Sequence, residues 1–228
     1  MNTDNRRGTV WTMAAVAALV LVAVPAAAQS PRVEVSVFGG WTFSDGVDGD
    51  AILAGDGNFY DELGPKDSAS WGLSFGVNAT DNVEIGFLFG QQMSELEIKG
   101  TAERVVGDIT INSYHPYIAF NLTPADAPLR PYILIGFGAT NYGSVEFTGA
   151  GGVQRETEGE TQYSGTFGAG LKIFANNVGA RIGMQWTPTY IKTDSAGYWC
   201  DPYWGCYVVG DAQYSNQFQF NGGIVFRF

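Results

Sequence analysis

The chain has 228 residues, 31 of them glycine, with 6 Trp, 11 Tyr and 15 Phe and a formal charge of −11. So acidic a chain excludes a nucleic-acid surface, because phosphates demand cations. One histidine and two cysteines leave too few ligands for a metal or redox centre, so neither a metal nor a cofactor is expected.

The first stretch has the charged, apolar and small-residue order of a secretory signal. Arg6 and Arg7 precede an apolar run from Val10 to Val24, which ends in Ala26, Ala27, Ala28 and Gln29. The run is shorter than the roughly 20 residues of a spanning helix and a small-x-small site follows it, so cleavage is expected after Ala28, with Gln29 starting the mature chain. Residues 1–28 are then a signal peptide for Sec export, and 29–228 one domain with 10 basic against 22 acidic residues. No later apolar run is long enough for a spanning helix, which excludes a helical membrane bundle. Export reaches an oxidising compartment, so Cys200 and Cys206 are expected to form a local disulfide.

The rest alternates apolar and small or polar residues in segments of about ten, the period of strands with two different faces. In the first, Val33, Val35, Val37, Trp41 and Phe43 oppose Glu34, Ser36, Gly40 and Thr42. In the second, Trp71, Leu73, Phe75 and Val77 oppose Ser70, Gly72, Ser74, Gly76 and Asn78, and Thr80, Asp81 and Asn82 supply a turn. The third sets Val83, Ile85, Phe87 and Phe89 against Glu84, Gly86, Gly90 and Gln92. The fourth sets Tyr114, Ile118, Phe120 and Leu122 against Ser113, His115, Tyr117 and Asn121. Pro116 interrupts it and predicts a bulge or a lost ladder bond. The fifth, from Pro131, has Ile133, Ile135, Phe137 and Ala139 opposite Gly136, Gly138 and Thr140. The sixth has Phe167, Ala169, Leu171 and Ile173 opposite Gly168, Gly170 and Lys172, and Asn176 and Asn177 turn the chain. The seventh sets Val178, Ala180, Ile182, Met184 and Trp186 against Gly179, Arg181, Gly183 and Gln185. The eighth sets Phe218, Phe220, Ile224, Phe226 and Phe228 against Gln217, Gln219, Asn221 and Arg227.

Connections after strands two, four and six are short, and those after one, three, five and seven are long and polar. Short turns face the periplasm and long loops the cell exterior in transmembrane barrels. Lipid offers the backbone no hydrogen-bond partner, so only a closed sheet lets such strands span. The expected fold is all-β: a closed antiparallel up-and-down eight-stranded transmembrane β-barrel, with its small and polar face filling a narrow, packed interior.

The final segment, Asn221, Gly222, Gly223, Ile224, Val225, Phe226, Arg227 and Phe228, resembles the terminal β-signal of outer-membrane proteins. With the strand from Arg130 to Gly138 and the turn at Asn176, Asn177 and Val178, the chain is similar to the small OmpA/OmpX-type outer-membrane barrels and opacity antigens over about Val33 to Phe228. The resemblance implies a place in the Gram-negative outer membrane, among lipid and lipopolysaccharide. It also implies insertion by the barrel-assembly machinery, with Asn221, Gly223, Phe226 and Phe228 as the recognised residues. Unlike full-length OmpA, no peptidoglycan-binding domain is expected to follow.

Several groups are candidates for chemistry. Glu34, Glu84, Lys172, Arg181 and Arg227 share the interior face near the short-turn end, with Gln185, Gln217 and Gln219 expected to bond them. Glu34 and Arg227 are expected to pair across the closing seam. This polar plug blocks bulk flow, and exchange of its pairs would open a narrow ion path, the alternative function. His115 and Ser113 share a face, as a lipid A deacylase would require, yet no matching carboxylate is evident, and the chain is not expected to be an enzyme. Acidic residues crowd the first long loop (Asp45, Asp48, Asp50, Asp56, Asp61, Glu62, Asp67) and the third (Glu146, Glu156, Glu158, Glu160), without EF-hand spacing. Trp199, Tyr203 and Trp204 beside the cysteines make an aromatic tip suited to a host or cell-surface ligand, or to the lipid interface. The expected role is structural display of four acidic and aromatic loops.

Overall fold

A computed structural model describes residues 32–53, 58–148, 154–156, 158–191, 199–201, 205–207 and 213–228, and among them there is no helix. Eight strands build the wall: β1 Val33–Ser44, β2 Ser68–Asn78, β3 Val83–Gly100, β4 Glu103–Asn121, β5 Leu129–Tyr142, β6 Glu160–Ala175, β7 Val178–Ile191 and β8 Gln213–Arg227. Each pairs antiparallel with its sequence neighbours, and β1 pairs with β8 from Glu34↔Arg227 to Ser44↔Gln217. Every wall strand therefore has two partners and no edge is left open, as expected from the alternation.

The two faces sort as the sequence predicts. Val37, Trp41, Phe75, Ile85, Phe120, Ile133, Phe137, Ile182, Phe220 and Ile224 point outward and are exposed, while Glu34, Ser36, Ser74, Glu84, Lys172 and Arg181 are buried inside. Aromatic ladders cross neighbouring strands near the long-loop end. Phe89 contacts Trp71 and Tyr114 at centroid distances of 5.5 and 5.4 Å, and Trp186 stacks on Phe167 and Phe218 at 5.4 and 6.0 Å. The indole N–H groups are not stranded, since Trp71 Nε1 donates to Gln91 and Trp186 Nε1 to Asn216. An apolar ring with a satisfied polar tip suits a boundary between hydrocarbon and water.

The short turns have the expected chemistry. Thr80 Oγ1 accepts from the N–H groups of Asn82 and Val83 between β2 and β3. Asn176, at φ 59°, supplies the left-handed residue of the tight turn between Ala175 and Val178, a conformation asparagine tolerates better than most residues. At Pro116 the β4–β5 ladder lapses between Tyr114↔Ala139 and Tyr117↔Gly136 without a change of register. The bulge alternative is thereby corrected: Pro116 lacks a donor, and the pairing resumes in step on either side.

Parts of the first two long connections form strand despite their polar composition. β3 and β4 stay paired out to Lys99↔Glu103, so the second long connection is an extended hairpin rather than an irregular loop. The strand Phe59–Pro65 adds to β3 opposite Leu96 to Gly100, and Val47–Leu53 adds to Phe59–Pro65. The reason is burial. Leu96, Ile109, Ile111 and Val145 form an apolar cluster beyond the barrel rim, with Leu63, Val106 and Tyr142 against it. A register shift between Leu96 and Glu97 lets both consecutive residues be buried.

Candidate functional site

The interior divides along the barrel axis into three layers, and the lowest is a chain of charges. In register, Arg130, Lys172 and Arg181 lie side by side on β5, β6 and β7, while Glu34 and Glu84 stand on β1 and β3. Three adjacent cations repel one another unless carboxylates face them, and here they do. Lys172 Nζ donates to Glu34 Oε2 and Glu84 Oε2 at 2.6 Å each, and Arg130 Nη1 donates to Glu34 Oε1. The pairs join residues 88 to 138 positions apart in sequence and bridge between strands that are not neighbours in the wall. The remaining lone pairs are used as well. Tyr117 O–H donates to Glu84 at 2.6 Å, Asn78 Nδ2 donates to Glu34 at 3.3 Å, and Arg130 Nη2 donates to Asn78 at 3.2 Å. All four ions are at most 4% exposed, so the desolvation of each is offset only while its partners stay in place.

Three expectations about this plug need correction. Glu34 and Arg227 are opposite in register, yet their side chains do not pair. Arg227 instead donates to the carbonyls of Asn176, Ala125 and Ala127 at 2.7 to 3.1 Å and stacks on Phe174, tying the short turns to the end of β8. Arg130, which the sequence reading placed in the strand from Arg130 to Gly138 but not among the interior charges, takes the place at Glu34. Arg181 is inside but bonds no carboxylate: it donates to Ser74 Oγ at 3.1 Å and Tyr132 O–H at 2.9 Å and lies 4.5 Å over the Phe38 ring. Gln217 and Gln219, and Gln185 in register with Gln219, do not join the charges at all, for they stand toward the long-loop end, Gln217 at the opposite end of the β1–β8 ladder from Glu34.

Above the charges comes an apolar layer that the alternation hid. Phe38, Leu88, Tyr117, Ala119, Tyr132 and Leu134 occupy interior positions and pack together. Phe38 crosses to β2, where a Cβ on Gly72 would collide with its ring. This septum separates the ions from the third layer.

The third layer is neutral and polar. Gln217 Nε2 donates to Gln92 Oε1 at 2.7 Å, Gln92 Nε2 to Ser44 and Ser68, and Gln219 Nε2 to Ser70 at 2.7 Å. These groups surround a small cavity of about 40 Å³, which has Phe38 and Leu88 on its inner side and no charged residue among the thirteen that line it.

His115 is fully buried beside this layer, and its Nε2 is 2.8 Å from Ser164 Oγ. Ser113 Oγ donates instead to the Gly90 carbonyl at 3.4 Å. His115 Nδ1 has no partner among the described residues. The serine at His115 is therefore Ser164 and not the expected Ser113, and no carboxylate orients the imidazole through Nδ1 among the described residues. Among the described residues no three or more His, Cys, Asp or Glu side chains gather where they could hold a metal ion.

At the terminal strand, Asn221 faces inward and donates to Gln219 at 3.1 Å, while Phe226 and Phe228 face outward. Gly223 lies at the closing seam, where a Cβ would collide with the Val37 carbonyl and Phe38. Cys200 and Cys206 occupy directly opposed positions of a short hairpin, Trp199–Asp201 with Gly205–Tyr207. The signal segment with Ala28 and Gln29, and the tip residues Tyr203 and Trp204, lie outside the described residues, and of Trp199 only the backbone is described.

Residues 14–228 match the family described as outer membrane protein beta-barrel domain. The chain belongs to that family. Solved outer membrane barrels share its fold. AlkL is 13% identical, with a TM-score of 0.52 over 90% of this chain and 94% of its own. Neisserial surface protein A is 12% identical, with 0.51 over 86% and 97%. OprG from Pseudomonas aeruginosa is 13% identical, with 0.50 over 87% and 97%. No curated protein sequence is similar enough to count as a relative. As an outer membrane barrel, the protein turns its apolar wall to lipid, and the aromatic ladders lie at the lipid boundary.

Proposed function

We propose that this barrel is a sealed, non-enzymatic anchor that displays an acidic surface on the cell exterior. The observation that carries the reading is the chain Arg130–Glu34–Lys172–Glu84, which closes the lumen at the short-turn end. A closed interior leaves the outer loops as the part that can meet partners. Their order supports display, because the hairpin of β3 and β4 and the added strands Phe59–Pro65 and Val47–Leu53 hold acidic residues such as Glu62, Glu95 and Glu103 on a fixed frame. Partners fitted to this surface are a host or cell-surface ligand of cationic character and lipopolysaccharide bridged through divalent cations.

Further elements of the reading concern biogenesis and the tip. Residues 1–28 direct Sec export and are removed after Ala28; the barrel-assembly machinery reads Asn221, Gly223, Phe226 and Phe228. Cys200 and Cys206 close a disulfide that stiffens the tip carrying Trp199, Tyr203 and Trp204, a reading supported by their opposed backbone positions. A second reading, a narrow ion path, is favoured by one observation: Lys172 stands between two carboxylates, and Arg227 is opposite Glu34 without bonding it, so partners are at hand for exchange.

A deletion strain tests the proposal when assayed in parallel for envelope integrity and host-surface binding, with complementation by the whole chain and by one whose β3–β4 hairpin is trimmed beyond the rim. Display predicts that the trimmed form restores integrity but not binding. Full restoration of binding by the trimmed form would contradict it.

A further inference from the structure

We propose that His115 is an acid-sensitive latch across the outer half of the β4–β5 seam, and that protonation of its imidazole releases the rungs above it. The seam is weak at this point. The β4–β5 ladder lapses at His115 and Pro116 and resumes only at Tyr117↔Gly136. A proline has no N–H to give, and Gly138, in register with Ser164, has no side chain to fill the gap; a Cβ on it would collide with the Tyr114 carbonyl. Side chains span the gap instead. His115 Nε2 lies 2.8 Å from Ser164 Oγ on β6, Thr140 on β5 donates to Ser164 at 2.9 Å, and Thr189 on β7 donates to Thr140 at 3.4 Å. One chain of bonds thus joins four strands, and its members are at most 6% exposed.

The chain of bonds has a direction, and acid opposes it. Each hydroxyl carries one hydrogen. Those of Thr189 and Thr140 are used on the next hydroxyl, so the hydrogen of Ser164 is left for Nε2. The neutral imidazole then carries its own on Nδ1, which has no partner among the described residues. A second proton on the ring makes Nε2 a donor facing a donor and leaves a buried cation, which is costly without a counter-charge. Among the described residues no carboxylate belongs to the cluster. The titratable groups on the inward faces of β3 to β7 lie elsewhere or are phenols. Tyr117, Tyr132 and Tyr142 are phenols, and Glu160 is exposed at the rim, where Gln162 donates to it. Glu84, Arg130, Lys172 and Arg181 belong to the charged layer, with Glu84 four residues along β3 from Leu88, the residue opposite His115. Opening the rungs hydrates the ring and takes up one proton. His115 is the chain's one histidine, the side chain whose ordinary charge change falls between neutral and mildly acid pH. The consequence reaches the exterior, because the β3–β4 hairpin is held to β5 through Ile111 to Tyr114, just above the latch.

The test is amide exchange followed by NMR on the mature barrel in lipid nanodiscs, with protection factors corrected for the pH dependence of intrinsic exchange. As pH falls from about 6 to about 4.5, the rungs from Ile111↔Tyr142 to Tyr114↔Ala139 should lose protection about tenfold per pH unit, the slope of one proton taken up on opening. The rungs from Tyr117↔Gly136 to Phe120↔Ile133, below the lapse, should hold theirs. His115→Gln keeps an acceptor toward Ser164 without the titration and should flatten the slope. Ser164→Ala cuts the chain of bonds and should lower protection of the upper rungs already at neutral pH. Folding of each variant is checked by its heat-shifted gel mobility. If a variant misfolds, the wild-type barrel decides alone, by its slope and by imidazole nitrogen resonances that should show Nε2 unprotonated at neutral pH. Flat protection of the upper rungs in the wild type, an equal loss below the lapse, a protonated Nε2 at neutral pH, or a slope as steep in folded His115→Gln would overturn the proposal.

Discussion

The two ends of the lumen fill the same cross-section by opposite means. At the short-turn end four buried ions hold one another across the barrel with every carboxylate oxygen engaged. At the long-loop end glutamines and hydroxyls bond more loosely around a cavity. Position along the axis therefore decides whether a polar interior face seals the barrel or opens it to solvent. The lower layer has few alternatives, because an ion that loses its partner there has no water to turn to; an amide in the upper layer has lumen solvent beside it.

The largest difference between the ends is expected on removing one partner. Glu34→Leu strands Arg130 and leaves Lys172 with Glu84 alone, and should cost about 3–5 kcal/mol in urea unfolding from vesicles, the penalty for an uncompensated buried charge. Next is the coupling within the chain of charges. Lys172→Met combined with Glu84→Gln should be less destabilising than the two single losses added together, by about 1–3 kcal/mol, in a double-mutant cycle run the same way. Gln217→Leu in the upper layer should cost only about 1 kcal/mol, and a loss equal to that of Glu34→Leu would erase the distinction between the ends. The smallest effect lies outside the membrane. Lys99 is held above the usual lysine range by its hydrogen bond to Glu97, with Glu62 also nearby. A raised lysine pKa contributes stability that is full below its ordinary value and is lost as pH rises through the raised one. Amide-exchange protection of the β3–β4 hairpin should therefore fall only in strongly alkaline solution, and Lys99→Met should lower it at neutral pH by about 0.5 kcal/mol, the scale of a surface pair.

What the sequence made legible was the face of each residue. Alternation through Ser70, Gly72, Ser74 and Gly76 against Trp71, Leu73, Phe75 and Val77 assigned inside and outside correctly, and eight such segments with three short turns fixed the topology. Height was not legible, because a period of two says nothing of how far up the barrel a side chain lies. Gln217 and Glu34 share the inward face yet stand at opposite ends of the β1–β8 ladder, so their bonding was misassigned. Arg130 was within reach, as counting back from Leu134 and Tyr132 places it inside. Partner choice was not, since Arg130 and Arg227 both approach Glu34 and only the reach of Arg227 to three turn carbonyls takes it elsewhere. The outer hairpins were hidden for a related reason: Leu63, Leu96, Ile109 and Val145 are far apart in sequence and earn their order only by packing together.

Current through a planar bilayer tests the sealed lumen most directly, comparing the mature barrel with Glu34→Gln and with Lys172→Gln, each shown to be folded by its heat-shifted mobility. A closing chain of charges predicts a quiet wild-type barrel and discrete openings in both variants. Sustained wild-type current of the same size as theirs would mean that Arg130, Glu34, Lys172 and Glu84 do not close the path.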